Sequence, residues 1–156
     1  YTLARRLLFD VAGLALDDPA WNEPGAPTVA DELMRPSVIY APAVRALLDA
    51  VPVHAVAHIT GGGLTENIIR VVPDGLGVSI DASSWTLPAV FAWLQREGNV
   101  TREEMWRTFN CGIGFVLIVP DTAATAIGAE LDRLELPHWR IGDVVAASGE
   151  ERVRID

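Results

Sequence analysis

The chain contains no lysine and a single cysteine, Cys111, among its 156 residues. Its 12 basic residues other than histidine are all arginines, against 21 acidic residues, so the formal net charge is −9. An acidic surface disfavours nucleic acid and anionic membranes, because both are bound through phosphates that clustered basic side chains neutralise. A single cysteine excludes an intramolecular disulfide and a multi-cysteine zinc site, and it favours a reducing, cytoplasmic location.

Long apolar runs are also missing, although 50% of the residues are hydrophobic and the mean hydropathy is +0.25. The longest apolar stretch, from Gly112 to Pro120, is far shorter than the about 20 residues that cross a bilayer. This hydropathy excludes a disordered chain, and the length predicts one domain that buries its apolar residues in a core or an interface. The first residue is Tyr1 rather than Met, and we expect the chain to be a piece of a longer protein.

Apolar periodicity predicts helices and strands that interleave along the chain. The predicted helices are 2–16, 28–34, 42–50, 64–72, 87–97, 101–109 and one that Asp121 caps and that reaches Leu134. The predicted strands are 53–60, 76–80, 112–119, 141–147 and 152–155, the last two joined as a hairpin through Ser148-Gly149. The predicted fold class is therefore α/β or α+β, with a mixed β-sheet on which helices pack.

Three consecutive glycines, Gly61, Gly62 and Gly63, stand between a predicted strand and a predicted helix. Such a loop presents backbone N–H groups at the positive end of a helix dipole, which favours a bound anion. Each glycine costs roughly 0.5–1 kcal/mol of backbone entropy against alanine, so a simple turn rarely needs three. A phosphate site and a tight turn packed beneath another element are both open interpretations, and the spacing fits neither the Walker pattern nor the dinucleotide fingerprint.

His58 is predicted on the same strand face as Thr60, at the mouth of the glycine loop. An imidazole there can donate to a phosphate or move a proton, while a histidine hydrogen-bonded inside the sheet is the alternative. His54 lies four residues earlier, about 13 Å away along a strand, so these two histidines cannot share a metal ion. No metal site is predicted.

A second segment, Arg107 to Gly114, leads from a predicted helix into a predicted strand. Asn110 is predicted to end the helix in the left-handed region, which exposes an amide side chain able to hold a substrate. Cys111 follows near the helix C-terminus, where the dipole disfavours a thiolate. A small buried residue is therefore favoured over a nucleophile at this position.

Four segments of the chain resemble the phosphoribosylformylglycinamidine cyclo-ligases, also called aminoimidazole ribonucleotide synthetases. They are Leu33–Tyr40, Ala57–Leu64, Arg107–Gly114 and Trp139–Gly142. Ser37 stands where that family usually has a threonine. The resemblance covers nearly all of the chain and concerns the C-terminal domain of the family. It implies that residues 1–156 are this domain and that the N-terminal, ATP-binding and dimerisation domain is absent from the chain.

The resemblance also implies a function in purine biosynthesis, the ATP-dependent ring closure of formylglycinamidine ribonucleotide to aminoimidazole ribonucleotide. ATP and Mg²⁺ are expected mainly on the N-terminal domain, and the full-length protein is expected to be a homodimer. An isolated C-terminal domain is expected to be inactive, and a non-catalytic anion-binding or interaction module of the same fold is the alternative. The predicted catalytic residues are His58 and Asn110, and the predicted phosphate-binding residues are Thr60, Gly61, Gly62, Gly63, Asn67 and Arg70.

Overall fold

The structure, a computed structural model, describes residues 2–22, 25–147 and 152–156. The helices are α1 (Thr2–Arg5), α2 (Val29–Leu33), α3 (Ala41–Ala50), α4 (Gly63–Ile68), α5 (Ala89–Glu97), α6 (Arg102–Thr108) and α7 (Ala124–Arg133). The strands are β1 (Ala55–His58), β2 (Leu76–Ile80), β3 (Phe115–Ile118), β4 (Gly142–Ala146) and β5 (Val153–Ile155). The predicted mixture of helices with a mixed sheet is confirmed.

The chain divides into two compact units. The first unit comprises Tyr1–Val38 and Leu87–Met105, and the second comprises Ile39–Thr86 and Trp106–Asp156. None of the described helices has the length and apolar character that a membrane span requires.

The first unit is built from helices around the side chains of Leu8, Trp21 and Trp93, all of which are buried. The rings of Trp21 and Trp93 pack with their centroids 5.5 Å apart. The helix predicted over 2–16 is shorter than expected, because after α1 it continues as a π-helix over Arg6–Val11 and then stops. Gly13 follows with a φ of 65°, a left-handed conformation that the helix cannot continue through.

The second unit contains two β-sheets. In the first, β1 and β3 run antiparallel, with His58 paired to Phe115. In the second, β2 lies at the centre, antiparallel to β4 and parallel to β5. The predicted hairpin of the last two strands is therefore wrong, since β2 lies between them, and its Ser148-Gly149 turn lies outside the described residues.

Glycine allows this central position of β2. A Cβ on Gly77 would lie 2.4 Å from the carbonyl oxygen of Arg152, and one on Gly142 would lie 2.0 Å from the carbonyl oxygen of Ser79. The neighbouring backbones therefore approach β2 more closely than side chains at these two positions would permit. An alternating sequence shows which residues share a face, but it does not show which strand lies beside them.

Helices α3 and α7 bury apolar side chains beside the first sheet, with Leu47, Ala123 and Ile127 forming the core and Leu117 packing against it. Asp121 was predicted to cap the last helix, and this is wrong. It begins a 3₁₀ turn before α7, and that turn has no side-chain cap. The Asp121 carboxylate instead accepts a hydrogen bond of 2.8 Å from Arg140 Nη1.

Arg152 ties the start of β5 to the turn before β2. Its guanidinium donates to the carbonyl oxygens of Val72 (2.7 Å), Pro73 (2.6 Å) and Leu76 (2.8 Å). We expect Arg152→Met, which keeps the apolar stem and removes the donors, to lower the free energy of unfolding by about 1–2 kcal/mol in urea denaturation. Arg154→Met is the matched control, because Arg154 is an exposed arginine of β5 two residues after Arg152, and an equal loss in both variants would contradict this role.

Candidate functional site

The end of β1 and the start of β3 bring the two predicted segments together in the second unit. The backbone N–H of Ile59 donates to the carbonyl oxygen of Gly114 over 3.0 Å. A Cβ on Gly63 would lie 2.0 Å from the carbonyl oxygen of Trp106 and 2.8 Å from that of Phe109. The glycine loop, Gly61–Gly63, therefore packs against the end of α6 and the corner that follows it.

His58 and Thr60 lie on one exposed face at the end of β1, as the alternating pattern predicts. Between and beside them, Ala57 and Ile59 point inward, with 5% and 3% of their surface exposed. The two polar side chains therefore lead from the strand to the glycine loop on the side that a ligand can reach.

The three glycines of the loop have different structural reasons to be glycine. Gly62 has a φ of 97°, and a Cβ there would lie 2.7 Å from Glu66 Oε2. Gly63 has a φ of 56° and packs against backbone, as described above. Gly61 has an ordinary φ, and a Cβ there would meet no atom within 4 Å. The fold therefore requires glycine at two of these positions and leaves the third unexplained.

The amide groups of the loop divide in the same way. The N–H of Gly63 donates to the carbonyl oxygen of Thr60 over 3.0 Å, which closes the turn. In the described part of the chain, the N–H groups of Gly61 and Gly62 donate to no backbone carbonyl. Two backbone donors are therefore available to an anion on the open side of the loop.

Asn67 holds the loop from within α4, where only 5% of its surface is exposed. Its Nδ2 donates to the carbonyl oxygens of Gly63 (2.8 Å), Gly61 (3.2 Å) and Thr60 (3.4 Å). Its Oδ1 accepts the Thr60 hydroxyl at 3.4 Å. The structure therefore places Asn67 where it sets the shape of the loop, with its amide already engaged by loop carbonyls.

The charged side chains around the loop are Arg70, Glu66 and Arg107. Arg70 is exposed, and its Nη1 lies 3.4 Å from Asn67 Oδ1. Glu66 folds back against Gly62 and pairs with Arg107, with Nε 3.3 Å from Oε1. The Glu66 charge is thus partly offset by Arg107, while no carboxylate among the described residues pairs with Arg70. The Arg70 guanidinium can therefore pair with an anion that binds at the loop.

The corner after α6 differs from its prediction by one residue. Asn110 was predicted in the left-handed region, whereas Cys111 (φ 49°) and Gly112 (φ 99°) adopt it. The Asn110 side chain explains the shift, because its Oδ1 accepts the N–H of Gly112 at 3.1 Å and so forms its own turn. The structure places Asn110 beside the glycine loop with its side-chain oxygen committed to the corner.

Cys111 is a buried residue, as the sequence favours, with 0% of its surface exposed. Burial raises the pKa of its thiol to about 12, so the thiolate is scarce at neutral pH. Its carbonyl oxygen accepts the indole N–H of Trp85 at 2.9 Å. Sequence reasoning missed this role of Trp85, since the bond joins residues 26 positions apart.

Sequence reasoning also missed Tyr40, which contacts both His58 and Phe115. The ring centroids of Tyr40 and His58 lie 6.0 Å apart, those of Tyr40 and Phe115 5.2 Å, and those of His58 and Phe115 6.1 Å. We call these three residues the aromatic cluster. The available signal was Tyr40 itself, because it is the last residue of the Leu33–Tyr40 segment that carries the family resemblance.

The described part of the chain has no set of ligands that would hold a metal ion. Within residues 2–22, 25–147 and 152–156, no three His, Cys, Asp or Glu side chains gather closely enough to hold an ion. Where ATP and Mg²⁺ bind stays a prediction.

A family model described as "AIR synthase related protein, C-terminal domain" matches residues 7–155. The chain belongs to this family. The predicted resemblance is thereby confirmed, and relatives of this AIR synthase domain carry the name phosphoribosylformylglycinamidine cyclo-ligase. The protein of that name from Xanthomonas oryzae pv. oryzae (strain PXO99A) is 66% identical over 128 residues, which cover 81% of this chain and 38% of the relative.

Two further relatives with the same name match almost the whole AIR synthase domain. The protein from Xanthomonas campestris pv. campestris (strain B100) is 54% identical over 161 residues, covering 99% of this chain and 45% of the relative. The protein from Xylella fastidiosa (strain Temecula1 / ATCC 700964) is 50% identical over 159 residues, covering 99% and 43%. The chain thus spans less than half the length of these relatives.

A solved structure shows the same fold for the AIR synthase domain. The crystal structure of thiamine-monophosphate kinase from Stenotrophomonas maltophilia K279a aligns with a TM-score of 0.64. The alignment covers 99% of this chain and 46% of the kinase chain, at 18% sequence identity. At this identity the likeness concerns the fold.

Proposed function

We propose that this AIR synthase domain is the substrate-binding part of a phosphoribosylformylglycinamidine cyclo-ligase, an ATP-dependent enzyme of purine biosynthesis. The family match and the relatives of that name, 50% to 66% identical, support this proposal. The substrate would be formylglycinamidine ribonucleotide, and the product of its ring closure aminoimidazole ribonucleotide. Because the chain spans less than half of these relatives, turnover would require an N-terminal domain, which would hold most of the ATP and Mg²⁺ site and form the cytoplasmic homodimer.

The observation that carries the binding role is the open space at Gly61. The fold accounts for glycine at positions 62 and 63, whereas a Cβ at Gly61 would have no described atom within 4 Å apart from its chain neighbours. A glycine that the fold does not need is explained when a ligand approaches the backbone at that point. We therefore assign the space beside Gly61 to a phosphate group of the substrate.

The groups around Gly61 suit a phosphate. The N–H groups of Gly61 and Gly62 are available as donors, the exposed residue Thr60 precedes them with its hydroxyl oxygen 3.4 Å from Asn67 Oδ1, and Arg70 supplies a positive charge. Arginine binds phosphate through its planar, forked donors, which matters in a chain that has no lysine. Asn67 would contribute by holding the loop carbonyls, which keeps the two amides in place.

His58 and Asn110 have separate roles in this proposal. Ring closure requires a proton to leave the attacking nitrogen, and His58, which is exposed at the end of β1 two residues before Thr60, would accept it. Asn110 would act through the corner that its side chain shapes, which lies against the glycine loop. ATP, when bound, supplies the phosphoryl group that activates the formyl oxygen.

Isothermal titration of the chain with formylglycinamidine ribonucleotide, and with the same nucleoside lacking the phosphate, tests the proposal. We expect the nucleotide to bind and the nucleoside to bind at least about tenfold more weakly. Arg70→Gln should weaken nucleotide binding about tenfold, because it removes a charge-assisted hydrogen bond. Gly61→Ala should weaken binding while leaving the free energy of unfolding unchanged.

Arg154→Gln is the control, since Arg154 is also exposed but lies in the sheet that does not contain β1. Equal losses for Arg70→Gln and Arg154→Gln would show only a general effect of charge. Equal binding of nucleotide and nucleoside would remove the phosphate role of the loop. Binding of neither would favour the non-catalytic module of the same fold.

A further inference from the structure

Tyr40 lies immediately before α3 and makes two contacts with the start of β3 and the residue before it. Its ring contacts Phe115, with centroids 5.2 Å apart and planes inclined by 32°. Its hydroxyl group lies against Gly114, where an added Cβ would lie 2.1 Å from the hydroxyl oxygen and 3.0 Å from Cζ. The φ of Gly114 is not in the left-handed region, so its backbone conformation does not require glycine. The space that the Tyr40 hydroxyl group occupies explains why residue 114 has no side chain.

His58 meets this ring edge-on. The planes of Tyr40 and His58 are inclined by 64°, the arrangement in which the positive edge of one ring meets the negative face of another. Phe115, paired with His58 across the two strands, contacts the imidazole from the neighbouring strand. Among the described residues, the contacts of the His58 ring are these two aromatic ones, and its side chain is exposed.

Burial affects Tyr40 itself. Its side chain is half-buried, and desolvation raises the pKa of its hydroxyl group above the ordinary value of 10.0. The hydroxyl group is therefore neutral at physiological pH, and Tyr40 presents a polarised ring without a negative charge to the imidazole.

We propose that Tyr40 is a positioning residue that fixes the His58 imidazole at the mouth of the glycine loop. This inference rests on the proposed function for its ligand, a phosphorylated purine precursor, and on the aromatic cluster alone for its geometry. It also assigns a purpose to Gly114, which provides the space in which the tyrosine ring lies.

Nuclear magnetic resonance of the chain with labelled histidines tests the geometry without any ligand. The aromatic protons of His58 report the ring currents of Tyr40 and Phe115, while His54 and His138 serve as internal references. We expect Tyr40→Phe to preserve the His58 resonances and Tyr40→Leu to move them. Gly114→Ala should move them as well, because its new Cβ occupies the position of the tyrosine hydroxyl.

The double variant Gly114→Ala/Tyr40→Phe separates positioning from a general loss of packing. Removing the hydroxyl group removes the 2.1 Å contact, so Tyr40→Phe should partly restore the His58 resonances that Gly114→Ala displaces. A folded Tyr40→Leu variant with unchanged His58 resonances would overturn the inference. So would a double variant no closer to the wild-type resonances than Gly114→Ala alone.

Titration with formylglycinamidine ribonucleotide then tests the consequence for binding. Tyr40→Leu should bind the nucleotide about two- to tenfold more weakly, and Tyr40→Phe should bind it as the wild type does. Unchanged affinity in Tyr40→Leu would overturn the link between His58 and the substrate. If the wild type binds no nucleotide, the proposed function fails, while the imidazole resonances still decide whether Tyr40 fixes His58.

Discussion

Alanine at Gly63 should lower the free energy of unfolding by about 3–5 kcal/mol, enough to unfold much of a marginally stable chain. Two costs add. A side chain at the left-handed φ of 56° is strained, and the new Cβ would lie 2.0 Å from the carbonyl oxygen of Trp106. That oxygen belongs to backbone at the end of α6 and cannot move aside as a flexible side chain can. Urea denaturation followed by circular dichroism measures the loss.

Gly61→Ala is the matched control for Gly63→Ala. It makes the same chemical change two residues earlier, where the Cβ meets nothing within 4 Å and φ is ordinary. We expect its stability to equal that of the wild type or to exceed it slightly, since alanine restricts the unfolded chain. A loss of similar size in both variants would contradict the division of the loop into structural and open glycines.

Asn67→Ala should lower the free energy of unfolding by about 2–4 kcal/mol. The buried amide donates to three carbonyl oxygens of the loop, and alanine removes these three bonds and leaves a small cavity. Because the loop amides depend on the same backbone, nucleotide binding should fall together with stability. Thr65→Ala is the comparison, because the Thr65 hydroxyl makes only a long bond of 3.4 Å to Gly62.

In Asn67→Asp, the free energy of unfolding should fall as the pH rises, because position 67 is buried. Burial and the three loop carbonyl oxygens that face this side chain raise the pKa of a carboxyl group here, against the smaller opposing effect of the exposed Arg70, so the folded variant binds its proton more tightly than the unfolded chain does. Its stability relative to the wild type is therefore greatest below the unfolded pKa of about 3.9 and falls as the pH rises toward 7. Urea denaturation at pH 4 and pH 7 measures this, and a difference that does not grow with pH would contradict the burial of residue 67.

The glycine loop shows how far sequence reasoning reaches. The three glycines, the strand before them and the helix after them are predictable, because each depends on neighbouring residues. Their separate roles are not, because Gly63 is explained by Trp106 and Phe109, more than 40 positions away. The sequence offered a phosphate site and a packed turn as alternatives, and the structure finds packing at Gly63 and open space at Gly61.

Two of the errors in the prediction share a physical cause. Aspartate commonly caps helices, but in this fold the Asp121 carboxylate accepts a hydrogen bond from Arg140 instead. The last two strands alternate as a hairpin does, but β2 lies between them because Gly77 and Gly142 allow close approach on both sides. In both cases a distant partner outweighs a sound local preference, and such partners leave no mark in the neighbouring sequence.

The burial of Cys111 has a practical consequence for chemical labelling. It is the one thiol of the chain, its surface is fully covered, and its pKa of about 12 keeps it protonated. A cysteine introduced at an exposed position would therefore be the one that reacts with a maleimide dye, without removal of the native residue. Since the chain also has no lysine, amine-reactive reagents find no side chain to modify, so fluorescent probes can be attached one site at a time.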